Sequence, residues 1–147
     1  MKYSEASLGR IFIIRLEDGD IVHEEIEKLA AEKEIRSAAI IILGGANDGS
    51  KQVLGPADPD ESPIVPMVHT LAGVHEVAGV GTLFQDEYGS PSLHMHMASG
   101  RKDSTVTGCI RVGVKVWQTM EAVLFELNDT TAMRYLDQKL GFKLLKP

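Results

Sequence analysis

The chain has too little cysteine for a disulfide framework: Cys109 is the only one in 147 residues, and a bridge within one chain needs two. It has no long hydrophobic run either. The most apolar stretch, Ala38 to Leu43, falls far short of the ~20 residues of a membrane helix and reads as a fully buried strand. Positive charge is scarce, with 15 Lys and Arg against 21 Asp and Glu and a net charge of −6. That balance argues against a broad grip on nucleic acid, which needs Lys and Arg to displace counterions from phosphates. Gly-x-Ser-x-Gly and His-Glu-x-x-His are both missing. Gly44-Gly45-Ala46 lacks the Lys-Ser/Thr of a phosphate loop and reads as a turn or bulge that ends a strand. No apolar h-region follows Met1. With the lone thiol, this leads us to expect a reducing cytoplasm and no membrane contact.

What is present is an ordinary globular composition. Hydrophobic residues make up 44% and charged residues 24%, enough to build one core in one domain over 1–147. Arg10 to Leu16 is rich in β-formers and predicts a strand. After the Asp18-Gly19-Asp20 turn, with Asp20 as N-cap, Val22, Ile26, Leu29 and Ala30 fall at helical spacing and predict a helix over 21–34. His23 falls on its exposed, polar side. Ser37 to Leu43 follows as a strand, and the helical crossover predicts a parallel pair. Four prolines make 55–66 a loop. Beyond it, His75 to Phe84, Ser92 to Ala98, Thr105 to Ile110 and Gly113 to Leu127 read as successive strands, with turns at 88–91 and 100–104. Asn128 to Thr131 resembles a cap and predicts a short helix through about Lys139, stopped by Gly141, before an edge strand over Phe142 to Leu145. The fold class is α/β (α+β): a mostly antiparallel mixed β-sheet with flanking helices.

The residues that suggest chemistry are Leu93-His94-Met95-His96-Met97 and Cys109. Side chains two apart on a strand share a face, so His94 and His96 stand side by side. A hairpin turning near Arg101–Asp103 brings Cys109 back to them. Two neutral imidazoles and a thiolate suit zinc, and three ligands leave a fourth place for water or substrate. The competing readings are metal-free surface or interface histidines and a small buried hydrophobe at Cys109. Glu76 and Glu121 are the carboxylates that enter a sheet face. Either serves as a candidate base, or is an exposed strand residue. His75 reads as strand surface, and His69 has no placeable partner. Arg101, Lys102, Arg111 and Lys115 lie close in sequence, opposed by Asp103. They are a candidate anion or nucleic-acid contact, or solvated charge at a strand edge.

Several motifs together are similar to one known family. Gly73-Val74-His75-Glu76-Val77, Gly79 to Leu83, Pro91 to His96, Thr107 to Arg111, Val116-Trp117 and Thr119 to Glu126 come in the order of the plants and prokaryotes conserved (PPC) domain. The segments Ile14 to Asp20 and Tyr135 to Phe142 fit as well. The resemblance implies a single α/β domain on a mostly antiparallel sheet, and a homotrimer. It also implies a metal site: many prokaryotic relatives pair a His-x-His with a later Gly-Gly-His. His94 and His96 match the pair, and Gly108-Cys109 departs from the third position. The DNA-binding label of the family comes from plant relatives that carry an AT-hook, a minor-groove reader absent from this sequence. The expectation is therefore a trimeric binding or regulatory protein of unknown role, with a metal-capable His94/His96/Cys109 site for which zinc is the candidate; the cysteine in place of histidine is equally consistent with weaker binding or a lost metal. The alternatives are a zinc hydrolase or lyase, in which zinc lowers the pKa of bound water to about 7, and a DNA-binding protein.

Overall fold

The computed structural model describes residues 1–60, 64–138 and 140–147. Positions 61–63 of the proline-rich loop, and Lys139 at the end of the expected second helix, lie outside the described residues.

Alternating apolar residues build ten strands and one helix in the order β1 (Ser7–Glu17), α1 (Val22–Glu32), β2 (Ser37–Ala46), β3 (Lys51–Pro56), β4 (Pro66–Thr70), β5 (His75–Gln85), β6 (Pro91–Arg101), β7 (Ser104–Cys109), β8 (Val116–Asn128), β9 (Met133–Asp137) and β10 (Phe142–Lys146). Eight strands form one sheet in the order β1-β8-β2-β5-β6-β7-β3-β4, and β9 and β10 make a separate hairpin. Every strand pair is antiparallel. β1 and β2 do run the same way, as a helical crossover requires, but β8 lies between them and pairs with both.

One face of the sheet forms the core. Ile40, Ile42, Leu83, Met95, Met97, Met120 and Leu124 pack there with Val22, Ile26 and Ala30 from α1. Each such side chain contributes roughly 1.5–3 kcal/mol relative to leaving it exposed. Among the described residues α1 is the one helix, so the expected pair of flanking helices reduces to a single element. None is long and apolar enough to cross a membrane.

Several sequence expectations change. Asp20 does not cap α1. Ile21 holds the N-cap position without a side-chain bond, and the Asp20 carboxylate accepts from the Glu17 amide at 2.9 Å, closing the turn instead. Gly44-Gly45 does not end β2 but bulges inside it, where the register against β8 shifts. Gly44 has φ +138, and a Cβ there would meet Thr119 O at 2.5 Å, so only glycine fits. The apolar run in β2 is not buried on both faces: Ile40 and Ile42 point into the core while Ile41 and Leu43 are exposed. β3 and β4 take in the two ends of the proline-rich segment, with Pro56 paired to Pro66. The expected C-terminal helix is instead strand β9. Thr130 Oγ1 accepts from the Ala132 amide at 3.2 Å, so the cap-like residues stop at a turn. Met133 to Asp137 then pairs along its whole length with β10.

Candidate metal centre

β6 alternates cleanly: Leu93, Met95 and Met97 turn toward the helix side, and His94 and His96 stand on the exposed face. The β6–β7 turn sets the register so that His96 pairs with Cys109. β3 closes the other side, pairing Val53 with Cys109. That approach depends on Gly108, where a Cβ would meet Val53 O at 2.7 Å and Leu54 Cδ2 at 2.8 Å.

The three candidate ligands converge. One nitrogen from each histidine and Cys109 Sγ all lie within 4.8 Å of one another. The Nε2 atoms of His94 and His96 are 3.1 Å apart. Two nitrogens at tetrahedral zinc–nitrogen bond lengths stand roughly 3.3 Å apart, so this spacing needs almost no adjustment. Partial burial holds both imidazoles below their usual pKa. At His94 the charges of Arg134 and Arg111 act in the same direction, and at His96 those of His94 and Arg111 do. Both rings are therefore neutral at pH 7, the form that ligates a metal. Arg111 Nε donates to Cys109 Sγ at 3.4 Å.

Beside the donors lies a cleft of about 720 Å³. Its far wall is the β9–β10 hairpin, which contributes Arg134, Phe142, Lys143 and Leu144; Leu93 and Arg111 complete the near side. Arg134 is 4% exposed. Its Nε donates to the Ser92 carbonyl at 3.1 Å, and its Nη2 to the Thr82 carbonyl at 3.1 Å and to Thr82 Oγ1 at 2.8 Å. The guanidinium lies 5.7 Å from the centre of the Phe84 ring. Sequence reasoning missed Arg134, because its segment was read as helix. His23 is also corrected: it is half-buried rather than exposed, lines the same cleft, and its buried Nδ1 has no hydrogen-bond partner.

The other sequence candidates lie elsewhere. Val80 pairs with His96, and Glu76 sits four residues along β5 from it, roughly 13 Å at about 3.3 Å per residue. Glu121 is on β8, three strands from β6, a lateral gap of roughly 14 Å. Both are exposed. The carboxylate in the cleft, Glu27, is committed to the Leu93 amide at 2.8 Å. The four basic residues do not form one patch. Arg101 and Lys102 belong to the β6–β7 turn, with Arg101 bonded to the Val74 carbonyl at 2.6 Å. Arg111 lies beside Cys109, and Lys115 bridges to Ile21 at the start of α1. His75 is buried, its Nδ1 2.9 Å from the Gly73 carbonyl. His69 is exposed on β4 and lines a shallow depression with His75 and Arg101.

The pattern of the Plants and Prokaryotes Conserved (PCC) domain matches residues 3–128. No curated protein matches the chain. Solved structures show the same fold. A metal-containing protein from Archaeoglobus fulgidus is 23% identical, with full coverage of both chains and a TM-score of 0.84. A plant- and prokaryote-conserved (PPC) protein from Pyrococcus horikoshii is 23% identical, covering 100% of this chain and 98% of its own, with a TM-score of 0.85. A candidate DNA-binding protein from Ralstonia eutropha JMP134 is 21% identical over 92% of this chain and 90% of its own, with a TM-score of 0.70. At these identities the likeness speaks for the fold.

Proposed function

The chain belongs to the Plants and Prokaryotes Conserved domain family, and from that premise we propose that it is a single-domain, homotrimeric binding or regulatory protein of a reducing cytoplasm, built around a zinc site at His94, His96 and Cys109. The observation that carries this reading is the donor set: two neutral imidazoles and a thiol, on two strands in fixed register, within 4.8 Å. When bound, zinc supplies Lewis-acid polarisation to whatever enters its open fourth position. The chain's own residues fix the donors through the β6–β7 pairing and leave the adjacent cleft open. The Archaeoglobus relative, described as metal-containing, agrees with this reading. Elemental analysis of protein prepared without chelator tests it. About one zinc per chain, lost in His94→Ala, is the expected result. Metal-free protein that shows no zinc affinity overturns the reading.

Support for self-association comes from the exposed sheet face. Ile13, Val123, Ile41, Val80 and His96 are consecutive cross-strand partners and so share one face. Ile13 is 81%, Ile41 50% and Val80 65% exposed in the single chain. Such an exposed apolar row fits an association surface, and it runs directly into the proposed zinc donors. Light scattering on the eluting protein should give three times the chain mass, and Val80→Lys should lower it. A clean monomer of the unaltered protein at micromolar concentration overturns the trimer.

The hydrolase or lyase reading has less support, because Glu76 and Glu121 stand away from the donors and Glu27 is already hydrogen-bonded. The DNA reading rests on labels such as that of the Ralstonia relative. It is opposed by the net charge of −6 and by the scattered basic residues. A salt titration tests it: loss of all binding by ~200 mM salt marks a merely electrostatic contact.

A further inference from the structure

The guanidinium of Arg134 is buried among carbonyl groups and Phe84, and no carboxylate among the described residues lies within ion-pair distance of it. Nε and Nη2 are fully used by Ser92 and Thr82. Nη1 has no acceptor among the described residues, and the side chain lines the cleft. A buried cation without a counter-charge is costly. The Phe84 ring faces the charge at 5.7 Å but carries no counter-charge of its own. Lys143, on the same wall, is neutralised by Asp86 at 2.7 Å. Arg111 adds a second guanidinium near the rim, where its one protein bond goes to Cys109 Sγ. The remaining walls are mixed: Leu93, Phe142 and Leu144 are apolar, while His23, His94 and Glu27 are polar, the Glu27 carboxylate accepting from the Leu93 amide.

We infer that this cleft takes a small organic carboxylate, its charged head between Arg134 and Arg111 and its apolar body along Leu93, Phe142 and Leu144. A planar guanidinium matches a carboxylate in geometry as well as charge. Most ligand sites share this form, with apolar walls around a few convergent polar groups. Inorganic phosphate gains nothing from the apolar walls. A duplex phosphate backbone does not reach a side chain as enclosed as Arg134. The inference rests on the zinc reading for one contact only, a carboxylate oxygen at the metal's open position; the guanidinium contacts stand without it.

Titration calorimetry with hexanoate, acetate and inorganic phosphate tests the inference, alongside a separate zinc titration against a chromophoric chelator. Each buried CH2 is worth about fourfold in affinity, so partial burial of the longer chain should make hexanoate at least about tenfold tighter than acetate. Phosphate should bind more weakly than hexanoate. Arg134→Lys should weaken hexanoate at least about tenfold, since the point charge loses the planar fork. Arg111→Gln, an exposed position that does not pin the hairpin, should weaken it about threefold or more and keeps the test open if the Arg134 variant fails to fold. Binding of hexanoate without zinc, lost in Arg134→Lys, supports the carboxylate site while removing its metal contact. Zinc bound normally with no hexanoate saturation by about 10 mM overturns the inference and leaves the zinc reading standing. Equal affinity for acetate and hexanoate, tighter binding of phosphate, indifference to both substitutions, or displacement of hexanoate by duplex DNA also overturns it.

Discussion

Two hairpins meet at the cleft, and they are built on different terms. The β6–β7 hairpin carries the donors, and its order is local: alternation of apolar and polar residues, a tight turn, and neighbours on both sides within the large sheet. The β9–β10 hairpin carries Arg134 and forms no strand ladder with that sheet. One isolated backbone bridge, Asp86 to Arg134, ties it to the end of β5, and side chains add the rest: Arg134 on Ser92 and Thr82, and Lys143 on Asp86. A continuous backbone ladder resists single substitutions better than a hairpin tied by one isolated bridge and two charged side chains. The candidate metal donors therefore sit within the large sheet, and the proposed anion contact on the more loosely tied hairpin.

The largest expected effect breaks the first hairpin's chemistry without touching its fold. Cys109→Ser or His96→Ala should weaken zinc by at least roughly 100-fold in a chelator competition, because even an outer-sphere partner is worth about 10–100-fold. The sheet should keep its far-ultraviolet circular dichroism. Next comes Arg134→Met, which removes the charge-assisted bonds to Ser92 and Thr82. A loss of about 2–4 kcal/mol in urea unfolding follows, with amide exchange accelerated in 133–146 and unchanged in 93–109. Equal acceleration in both segments would erase the distinction between the hairpins.

A smaller effect comes with pH. Burial alone would raise the Asp86 carboxyl, but Lys143 and the amides of Ser90 and Tyr88 outweigh it and hold its pKa below the ordinary value of 3.8. Its stabilisation is therefore complete above that value and is lost as pH falls through the lower folded pKa. Glu126 follows the same sign. The hydrogen bond from Arg10 lowers its pKa against the opposing effect of burial, so β1 and β8 also loosen in acid. Hydrogen exchange between pH 5 and pH 3, corrected for its intrinsic rate, should show β9–β10 opening while β6–β7 stays protected; Asp86→Asn should remove the pH dependence at the hairpin. The smallest expected effects are Glu76→Gln and Glu121→Gln. Each should change zinc affinity less than about twofold and stability by less than about 0.5 kcal/mol, as exposed positions away from the site do. A tenfold change in zinc affinity at either one would return it to the site.

The strands from His75 to Asn128 were legible because period 2 and turn residues act at short range. The His94–His96–Cys109 grouping was legible for the same reason: two residues share a strand face, and one turn returns the third. The C-terminal hairpin was not legible. Asn128 to Thr131 has cap chemistry, and Met, Arg, Leu and Gln follow as good helix formers. What overrides them is a partner strand and two distant carbonyls that accept from Arg134. β2 shows the same limit, since an unbroken apolar run does not say that one of its faces is exposed in the single chain.

By itself, then, the sequence determined strands β1, β2, β5 to β8 and β10, the helix α1 and the identity of three convergent side chains, set by the alternation of side chains along a chain and by a single tight turn. Tertiary structure alone decided what stands opposite those donors. It buried Arg134 beside them with no carboxylate paired to it among the described residues, brought His23 to the same cleft, and removed Glu76, Glu121, Arg101 and Lys102. The reason is physical: a residue's face follows from its neighbours in sequence, but its electrostatic surroundings depend on strands tens of residues away.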